Sequence, residues 1–534
     1  MGDVRDCDVV VIGMGPIGAA MALALADEGL RVTVVEPFDK PFDKPRAIGI
    51  DHDALRLLQR FGVMDEVEGQ LGSYRSSEYR AADGQVLRRI HPQLAPYPQG
   101  WPPYSTFVQP DLEATLRKAC HENPRIELLF GHLAERVSQE AEQVSVVAAE
   151  VECGSGQPRT VAGARPRVVR ARYAVACDGA RSPVREAFEM GIEDFDFCEQ
   201  WLVVDVIAHG AVGLPDVTVQ YCNGTRPATY IAGPRDLHRW EIMLLPGEDG
   251  PAMACEEKVW ELLAPWITPD QGTLWRAASY QFNARVARDW QSGRVFLAGD
   301  AAHQTPPFMA QGLNQGFRDV ANLAWKIAAV IKCGASPELL ETYAIERRPN
   351  VTAVIALTKE LGKLICERDP GRVVERNRAM LAEMAAGKGD FVRQDMLPAL
   401  LPGPLVLSGD RFGRGAGHVI PQPFVHLGAE RRRMDDVLGA GFQLFVTETA
   451  GIDDGLTGID VLHIDRSEGP GAVREADGLL AAWFAQHGVC AALVRPDRVV
   501  FGTARNSDDA AVLADALFES LGIVRLPAQQ STAA

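Results

Sequence analysis

With 534 residues, 47% of them hydrophobic, the chain can bury cores for two or three domains. Its net charge of −17 argues against a nucleic-acid partner and against an anionic membrane surface. The ten cysteines are dispersed, with no Cys-x-x-Cys pair and no zinc-ligand or disulfide spacing, so a reducing cytoplasm is expected.

The N-terminal segment carries the strongest signal. The run Val9-Val-Val-Ile12 breaks into Gly13-x-Gly15-x-x-Gly18 and an Ala/Leu-rich stretch; a second run, Val32-Thr-Val-Val, ends in Glu36. This is the strand–turn–helix–strand pattern of a dinucleotide site. Gly13 permits the tight turn, Gly15 lets the backbone approach a pyrophosphate, and Gly18 lets helix and strand pack. Pro16 and Ile17 open the helix, whose N-terminus offers free N–H groups and a positive dipole end to phosphates. Glu36 sits where a carboxylate would accept ribose hydroxyls. Val9 to Ala26 is eighteen residues without a charge, about the length of a short membrane span. Its glycines, and the flanking Asp3, Asp6 and Asp8, favour a strand and a buried helix over a signal or anchor, so no membrane association is expected.

Further along, residues 51–61 read as a helix with Leu55, Leu58 and Phe61 as its apolar stripe and Gly62 as its stop. Another helix begins at Gln109. Residues 144–151 and 168–176 alternate as strands. From 200 to 284 strands dominate, at 201–207, 217–221, 228–232 and 240–245, with turn residues at Asn223-Gly224 and Pro246-Gly247. The strand at 295–298 returns the chain to the first domain, a long helix covers 315–332, and more helix follows across 338–395. Residues 398–423 read as a linker. Its Gly413-Arg-Gly415-Ala-Gly417 lacks the flanking strand and helix of a second dinucleotide loop. Strands near 442–446, 460–464 and 490–502 and a closing helix at 508–521 have the ordering of a thioredoxin fold without redox cysteines. The tail 529–534 reads as disordered. The expected architecture is α/β: a Rossmann-type domain over 1–199 and 285–397, an inserted β-sheet substrate domain over 200–284, the linker, and a thioredoxin-like domain over 424–534.

Two later motifs narrow the class. Ala176-Cys-Asp178-Gly179-Ala-Arg181-Ser-Pro-Val-Arg185 follows one strand. Phe296-Leu-Ala-Gly299-Asp300-Ala-Ala-His303 follows another and leads through Pro306-Pro307 into Ala310-Gln-Gly312-Leu313-Asn314. Both resemble the Asp-Gly and Gly-Asp motifs of single-component (class A) FAD-dependent aromatic hydroxylases. The resemblance runs along nearly the whole chain, through Trp325-Lys326, Glu346-Arg-Arg, Trp483-Phe-Ala-Gln-His and Arg495-Pro-Asp-Arg. Within that family it is strongest to the branch acting on 3-(3-hydroxyphenyl)propionate.

The resemblance implies an NAD(P)H-dependent flavoprotein monooxygenase. It would hydroxylate a phenolic acid such as 3-(3-hydroxyphenyl)propionate with O2, through a flavin C4a-hydroperoxide. FAD is the implied cofactor, and NADH or NADPH the co-substrate, docking near Asp178–Arg185 with Arg181 and Arg185 as candidate contacts. Arg46 and Gln109 match positions that contact the ribityl–pyrophosphate stretch, and Asp178 and Gly179 belong to the same site. Asp300 can accept ribityl hydroxyls while Gly299 keeps that approach clear. Pro307, Gly312, Leu313 and Asn314 surround the flavin N1–C2=O edge, where a helix N-terminus stabilises reduced, anionic flavin by about 0.3–1 kcal/mol. Ala310 stands where the family usually carries Gly, and an Ala there demands φ below zero or some strain.

Tyr221, Tyr230, Met243 and Phe308 are candidate ring-packing walls for the substrate, and Arg226 or Arg239 a candidate clamp for an acidic side chain. His303 is a candidate general base. The cofactor carries the chemistry, so no catalytic triad is expected. Two other readings stand beside this one: a hydroxylase of a larger polyketide or secondary-metabolite phenol, and an FAD-bound protein with a non-catalytic or sensory role. A monomer or homodimer is expected.

Overall fold

The computed structural model describes residues 4–153, 158–447, 459–464 and 472–523; the tail expected to be disordered lies outside them. The first unit forms as the glycine pattern requires. β1 (Val9–Ile12) leads into α1 (Pro16–Asp27), which returns to β2 (Val32–Glu36). With β3 (Ile126–Phe130), β4 (Tyr173–Ala176) and the strand Val295–Leu297 they build a parallel sheet, edged by the short antiparallel strand Gln291–Ser292. β1, β2, β4 and Val295–Leu297 are buried at every position, which is why they read as continuous apolar runs. α1 is buried from Gly18 to Ala26, so it is apolar all round. Among the described residues no helix is long and apolar enough to cross a membrane.

Residues 168–176 form two strands, not one. Arg167–Ala171 pairs antiparallel with Val144–Glu152 in a separate layer, whereas β4 joins the parallel sheet. The backbone changes sheet at Arg172, a break that alternation alone does not reveal.

The second large sheet has nine strands. Its core is β5 (Ile192–Ala208), β6 (Thr218–Tyr221), β7 (Ala228–Ala232), β8 (Leu237–Met243) and β9 (Gly272–Ala287), in the spatial order β9-β5-β8-β7-β6. It reaches beyond 200–284. The hairpin Ser77–Arg80 and Val86–His91 extends it by parallel pairing of Ser77 with Thr218, and Asp390–Val392 and His303–Gln304 close its two edges. The hairpin escapes sequence reading because its strands are rich in charge. One face of the sheet packs Val219, Tyr230, Trp240 and Ile242 against the helix Glu256–Leu263. The other face is polar.

The Gly312–Lys332 helix (α2) and the Glu341–Cys366 helix (α3) brace the parallel sheet. The helical stretch after 338 breaks at Asp369, whose carboxylate accepts the Arg372 N–H at 2.9 Å and starts a new helix with Pro370 at its first position. Residues 398–423 are packed, with Leu405, Val406 and Ile420 buried. Beyond them lies a five-stranded sheet in the order Ala472–Val473, Asp460–Ile464, Gln443–Thr447, Ala491–Val494, Val500–Ala504. Its first two pairings are parallel and its last two antiparallel, and the helices Leu479–His487 and Ser507–Ser520 accompany it.

Candidate functional site

A cleft of about 940 Å³ opens where the turns after the parallel strands meet the polar face of the nine-stranded sheet. The glycines around it fall into two kinds. Gly13 has φ +94°, and a Cβ there would lie 2.6 Å from the Cys177 carbonyl; at Gly18 it would lie 2.0 Å from the Gly13 carbonyl. These two exist for packing. A Cβ added at Gly15, Gly179 or Gly312 would meet nothing within 4 Å. These three keep the cleft open.

Glu36 is buried, and its carboxylate accepts the Met14 N–H at 2.6 Å and the Phe38 N–H at 3.0 Å. Burial raises its pKa against those two bonds and Arg117. The residue braces the glycine turn and is not itself part of the cleft wall. Gln109 accepts the Arg46 and Ala47 N–H groups at 3.0 and 2.7 Å, so it shapes the loop that presents the exposed Arg46 to the cleft. Asp178 Oδ2 accepts the Val184 N–H at 3.3 Å, while Oδ1 is buried with no hydrogen-bond partner. Asp300 stands exposed in the cleft yet ringed by protein, and desolvation pushes its pKa up against His303 and Arg46. Pro16, Ile17, Pro307, Gly312 and Leu313 complete this end. Ile17 packs where a Cβ on Gly299 would come within 3.2 Å, so Gly299, at φ +62°, keeps the turn close to α1. Asn314 lies behind the wall, accepting the Asp51 N–H at 3.0 Å and donating to the Ala310 carbonyl at 2.8 Å.

Ala310 adopts φ +48°, ψ +44°, so the strain anticipated for a non-glycine residue is present. Ala310→Gly is therefore expected to stabilise the protein by about 1 kcal/mol, read as a higher urea midpoint. An unchanged midpoint would mean that the surrounding loop carries no strain.

Several sequence candidates take other roles. His303 is 1% exposed, stacks on Trp290 at 5.3 Å, and places Nε2 at 2.7 Å from Asp319 Oδ2. Asp319 also accepts the Gly299 N–H at 3.0 Å and Arg347 Nε at 2.9 Å. Burial would raise Asp319, but His303 and Arg347 outweigh it and hold its pKa below the usual range. His303 thus buttresses the Gly299–Asp300 turn from behind and is not among the residues that line the cleft. Arg185 donates to the carbonyls of Ala301 at 2.9 Å and Ala180 at 3.0 Å, a strut between the two motifs. Arg181 is exposed at the cleft.

On the sheet, side chains alternate between faces, and the aromatic residues went to the back. Tyr230 bonds His238 Nδ1 at 2.8 Å, and Tyr221 lies 5.2 Å from Trp266. Neither lines the cleft, nor does the buried Met243. Arg226 is held by Glu248 at 2.8 and 2.6 Å. Arg239 reaches the cleft wall, but its guanidinium is spent on Asp205 at 2.7 and 3.1 Å and on the Arg46 and Pro45 carbonyls. Phe308 does line the cleft, in an aromatic group with Phe197, Trp201 and Phe282.

The cleft face instead carries a cross-strand row of Gln220, Thr229 and Glu241. Thr229 Oγ1 donates to Gln220 Oε1 at 2.6 Å. Glu241 is 8% exposed and makes no side-chain hydrogen bond among the described residues. Desolvation pushes its pKa up to about 7; Arg239 and Arg276 oppose this and Asp205 adds to it. Arg393 is buried in the wall over the Tyr104 ring, at 4.1 Å, and its one side-chain hydrogen bond among the described residues goes to the Met309 carbonyl. Period-two alternation around the inward Trp240 would have placed Glu241 on this face. No sequence signal marks Arg393.

A glycine cradle at a helix N-terminus, facing a roofed cleft, defines a dinucleotide-binding protein. Residues 6–358 match the FAD binding domain family, and the chain belongs to it. Residues 417–519 match the HcaD C-terminal domain. The chain is 34% identical to the probable NADH-specific resorcinol 4-hydroxylase of Rhodococcus jostii (strain RHA1), covering 97% of this chain and 96% of that protein. It is 33% identical to the 3-(3-hydroxy-phenyl)propionate/3-hydroxycinnamic acid hydroxylase of Escherichia coli O81 (strain ED1a), over 93% of this chain and 91% of that one. Among solved structures the fold resembles the flavin-dependent monooxygenase PieE in complex with FAD and substrate, with TM-score 0.78, 22% identity and coverage of 97% and 99%. It also resembles aklavinone-11 hydroxylase with FAD and aklavinone, with TM-score 0.77, 23% identity and coverage of 98% and 100%. The residues present fit FAD on their own geometry. Gly15 and Gly312 leave space a side chain would fill, and Asp178 Oδ1 and Thr305 Oγ1 are buried at the cleft without partners.

Proposed function

We propose that the protein is an FAD-dependent monooxygenase that hydroxylates a phenolic ring with NADH or NADPH and O2. One ring C–H becomes C–OH, the second oxygen atom leaves as water, and the nicotinamide is oxidised. The observation that carries this is the single cleft joining a dinucleotide cradle to a polar, aromatic-walled sheet face. The full-length similarity to relatives named as resorcinol and hydroxyphenylpropionate hydroxylases supports it.

Bound FAD would supply hydride acceptance and oxygen activation. The chain's part is binding, charge and dryness. The first N–H groups of α2 have no acceptor within the helix and suit negative charge on the flavin's pyrimidine edge. Asp300 and Asp178 suit hydroxyl groups, and Arg46 suits the pyrophosphate. Arg181 is the exposed cation for a visiting nicotinamide. Phe308 and its aromatic neighbours exclude water from the ring-binding end. Arg393, rather than Arg226 or Arg239, has guanidinium N–H groups free for a substrate carboxylate.

In this reading the FAD-binding unit takes residues 1–199 and 285–397, and the 200–284 sheet roofs the substrate with help from 77–91 and 390–392. The C-terminal sheet with its two helices supports a thioredoxin-like domain acting as a docking or dimer module. The ten unpaired cysteines favour a cytoplasmic setting, for a monomer or homodimer.

The test is oxidation of NADH and NADPH, with oxygen uptake, by purified yellow protein across a panel including resorcinol and 3-(3-hydroxyphenyl)propionate. Stimulated oxidation with a newly hydroxylated ring supports the proposal, and oxidation unaffected by every phenol contradicts it. Arg393→Met is expected to raise KM for 3-(3-hydroxyphenyl)propionate about 10–100-fold while changing that for resorcinol little, the loss of a charge-assisted bond. Equal effects on both would remove Arg393 as the acid's partner.

A further inference from the structure

We propose that Glu241 receives the phenolic proton of the substrate and thereby selects the ring carbon that is oxygenated. The proposal rests on the phenol-hydroxylase reading and adds to it the residue that touches the reacting hydroxyl. Glu241 lies in the middle of β8, between its cross-strand neighbours Thr229 and Val203, so a packed sheet holds its backbone rather than a loop. Its side chain lines the cleft, and no protein hydrogen bond occupies its carboxylate among the described residues. A buried carboxylate without a donor is costly unless a ligand brings one.

The charged and titratable groups around it come from four strands. Arg239 shares its strand, Asp205 lies on β5 and Arg276 on β9, and Tyr280 of β9 and Tyr104 of the Tyr104–Thr106 strand also act on this cluster. Both arginines are already engaged: Arg239 holds Asp205, and Arg276 holds the Pro45 carbonyl and the Tyr280 hydroxyl. Within this group the acceptor left over is Glu241, and Arg393, over the Tyr104 ring, keeps guanidinium N–H groups free beside it in the same cleft wall. A substrate carboxylate would be repelled at Glu241 and welcomed at Arg393. A phenolic hydroxyl is a donor and belongs at Glu241, so the ring is clamped with its hydroxyl on the sheet.

The chemistry balances. The phenolic O–H bond breaks, and its proton passes to a Glu241 oxygen. The freed pair forms C=O, and the ring π electrons at the ortho or para carbon form the new C–O bond. Bound FAD, with NAD(P)H and O2, would supply that oxygen atom, the electron pair of the O–O bond leaving with the second oxygen, which ends as water. Loss of that carbon's hydrogen as a proton restores the aromatic ring. A base whose pKa lies near the working pH is suited to such a transfer, and burial has put Glu241 at about 7.

Holoenzyme carrying Glu241→Gln, which is isosteric, makes the test, with Glu241→Asp beside it. Wild-type kcat/KM for resorcinol should fall on the acid side with a midpoint near 7. Glu241→Gln should lose that limb and form product about 100-fold or more slowly. It should also turn NAD(P)H consumption from hydroxylation to hydrogen peroxide release. Glu241→Asp should keep a shifted acid limb. The melting temperature of Glu241→Gln at pH 8 should equal or exceed that of wild type, because a carboxyl with raised folded pKa costs stability as pH rises past its unfolded value. That result separates lost chemistry from lost folding. A hydroxylating wild type whose Gln variant keeps the acid limb and product yield overturns the assignment alone. A wild type that hydroxylates no phenol overturns the function and the assignment together.

Discussion

Gly15→Val should give a folded protein that purifies colourless. Gly15 caps α1 at φ −67°, ψ −177°, an extended geometry open to any residue, and an added Cβ meets nothing within 4 Å. The isopropyl group would project into the cleft where the pyrophosphate must approach the N–H groups of α1. FAD affinity should drop about 1,000-fold, on the order of 4 kcal/mol, with the apoprotein's melting temperature near that of wild type. Gly13→Ala supplies the contrast. At φ +94°, with the Cys177 carbonyl 2.6 Å away, its side chain strikes backbone, so stability should fall by about 3 kcal/mol or more. Titration of both apoproteins with FAD, alongside urea unfolding, separates the binding glycine from the folding one. Yellow Gly15→Val protein with wild-type affinity would place the cofactor elsewhere.

Arg495→Met should cost about 3–5 kcal/mol and loosen the C-terminal unit from the rest. Arg495 is fully buried, bonded to Glu346 at 2.7 and 2.9 Å and to Asp497 at 2.5 Å, with its guanidinium 5.6 Å from the Trp325 ring. Lys326 reaches the same Glu346 oxygen at 2.9 Å, as does Asn322 at 2.7 Å. Removing the arginine leaves Asp497 buried without its cation. A second contact, Arg56 with Asp435 at 2.7 and 2.9 Å, crosses the same junction, where Arg498 also meets Asp435 at 3.3 Å. Burial opposes ionisation of Glu346, but Arg495 and Lys326 outweigh it and bring its pKa to about 2. Asp435 is likewise brought to about 2 by Arg498 and Arg56 against burial. Both folded values are depressed, so their stabilisation is present above the unfolded values and is lost as pH falls from about 4.5 toward 2. Limited proteolysis should therefore cut within residues 398–423 in Arg495→Met at neutral pH, and in wild type only in acid. Equal resistance of variant and wild type would show that the apolar contacts carry the docking.

What could be read from the chain followed from how strongly local geometry constrains residue type. The Gly13–Gly18 turn, Gly299 and the N-terminus of α2 were legible because backbone there must approach a ligand or another element, and few residues permit that. The strain at Ala310 was visible for the same reason. The substrate face was not legible in that way. Tyr221 and Tyr230 attracted notice as aromatic residues, but alternation turns them toward the Glu256–Leu263 helix, and the less conspicuous Gln220, Thr229 and Glu241 face the cleft. Arg226 and Arg239 were plausible clamps until their partners Glu248 and Asp205 were located, each well separated in sequence. His303 owes its role to Asp319 and Trp290, and Arg393 owes its place to Tyr104; these are meetings only the fold arranges. The buried Lys326–Glu346–Arg495 cluster gathers three of the resemblance's motifs into one interdomain contact.

A phenol hydroxylase of this class transfers one atom of O2 to the ring. The most direct measurement is mass spectrometry of the product formed from resorcinol or 3-(3-hydroxyphenyl)propionate under ¹⁸O2 with NAD(P)H. One ¹⁸O atom should appear in the ring product for each NAD(P)H consumed. Product oxygen drawn from water, or NAD(P)H oxidation yielding only hydrogen peroxide with every phenol, would contradict it.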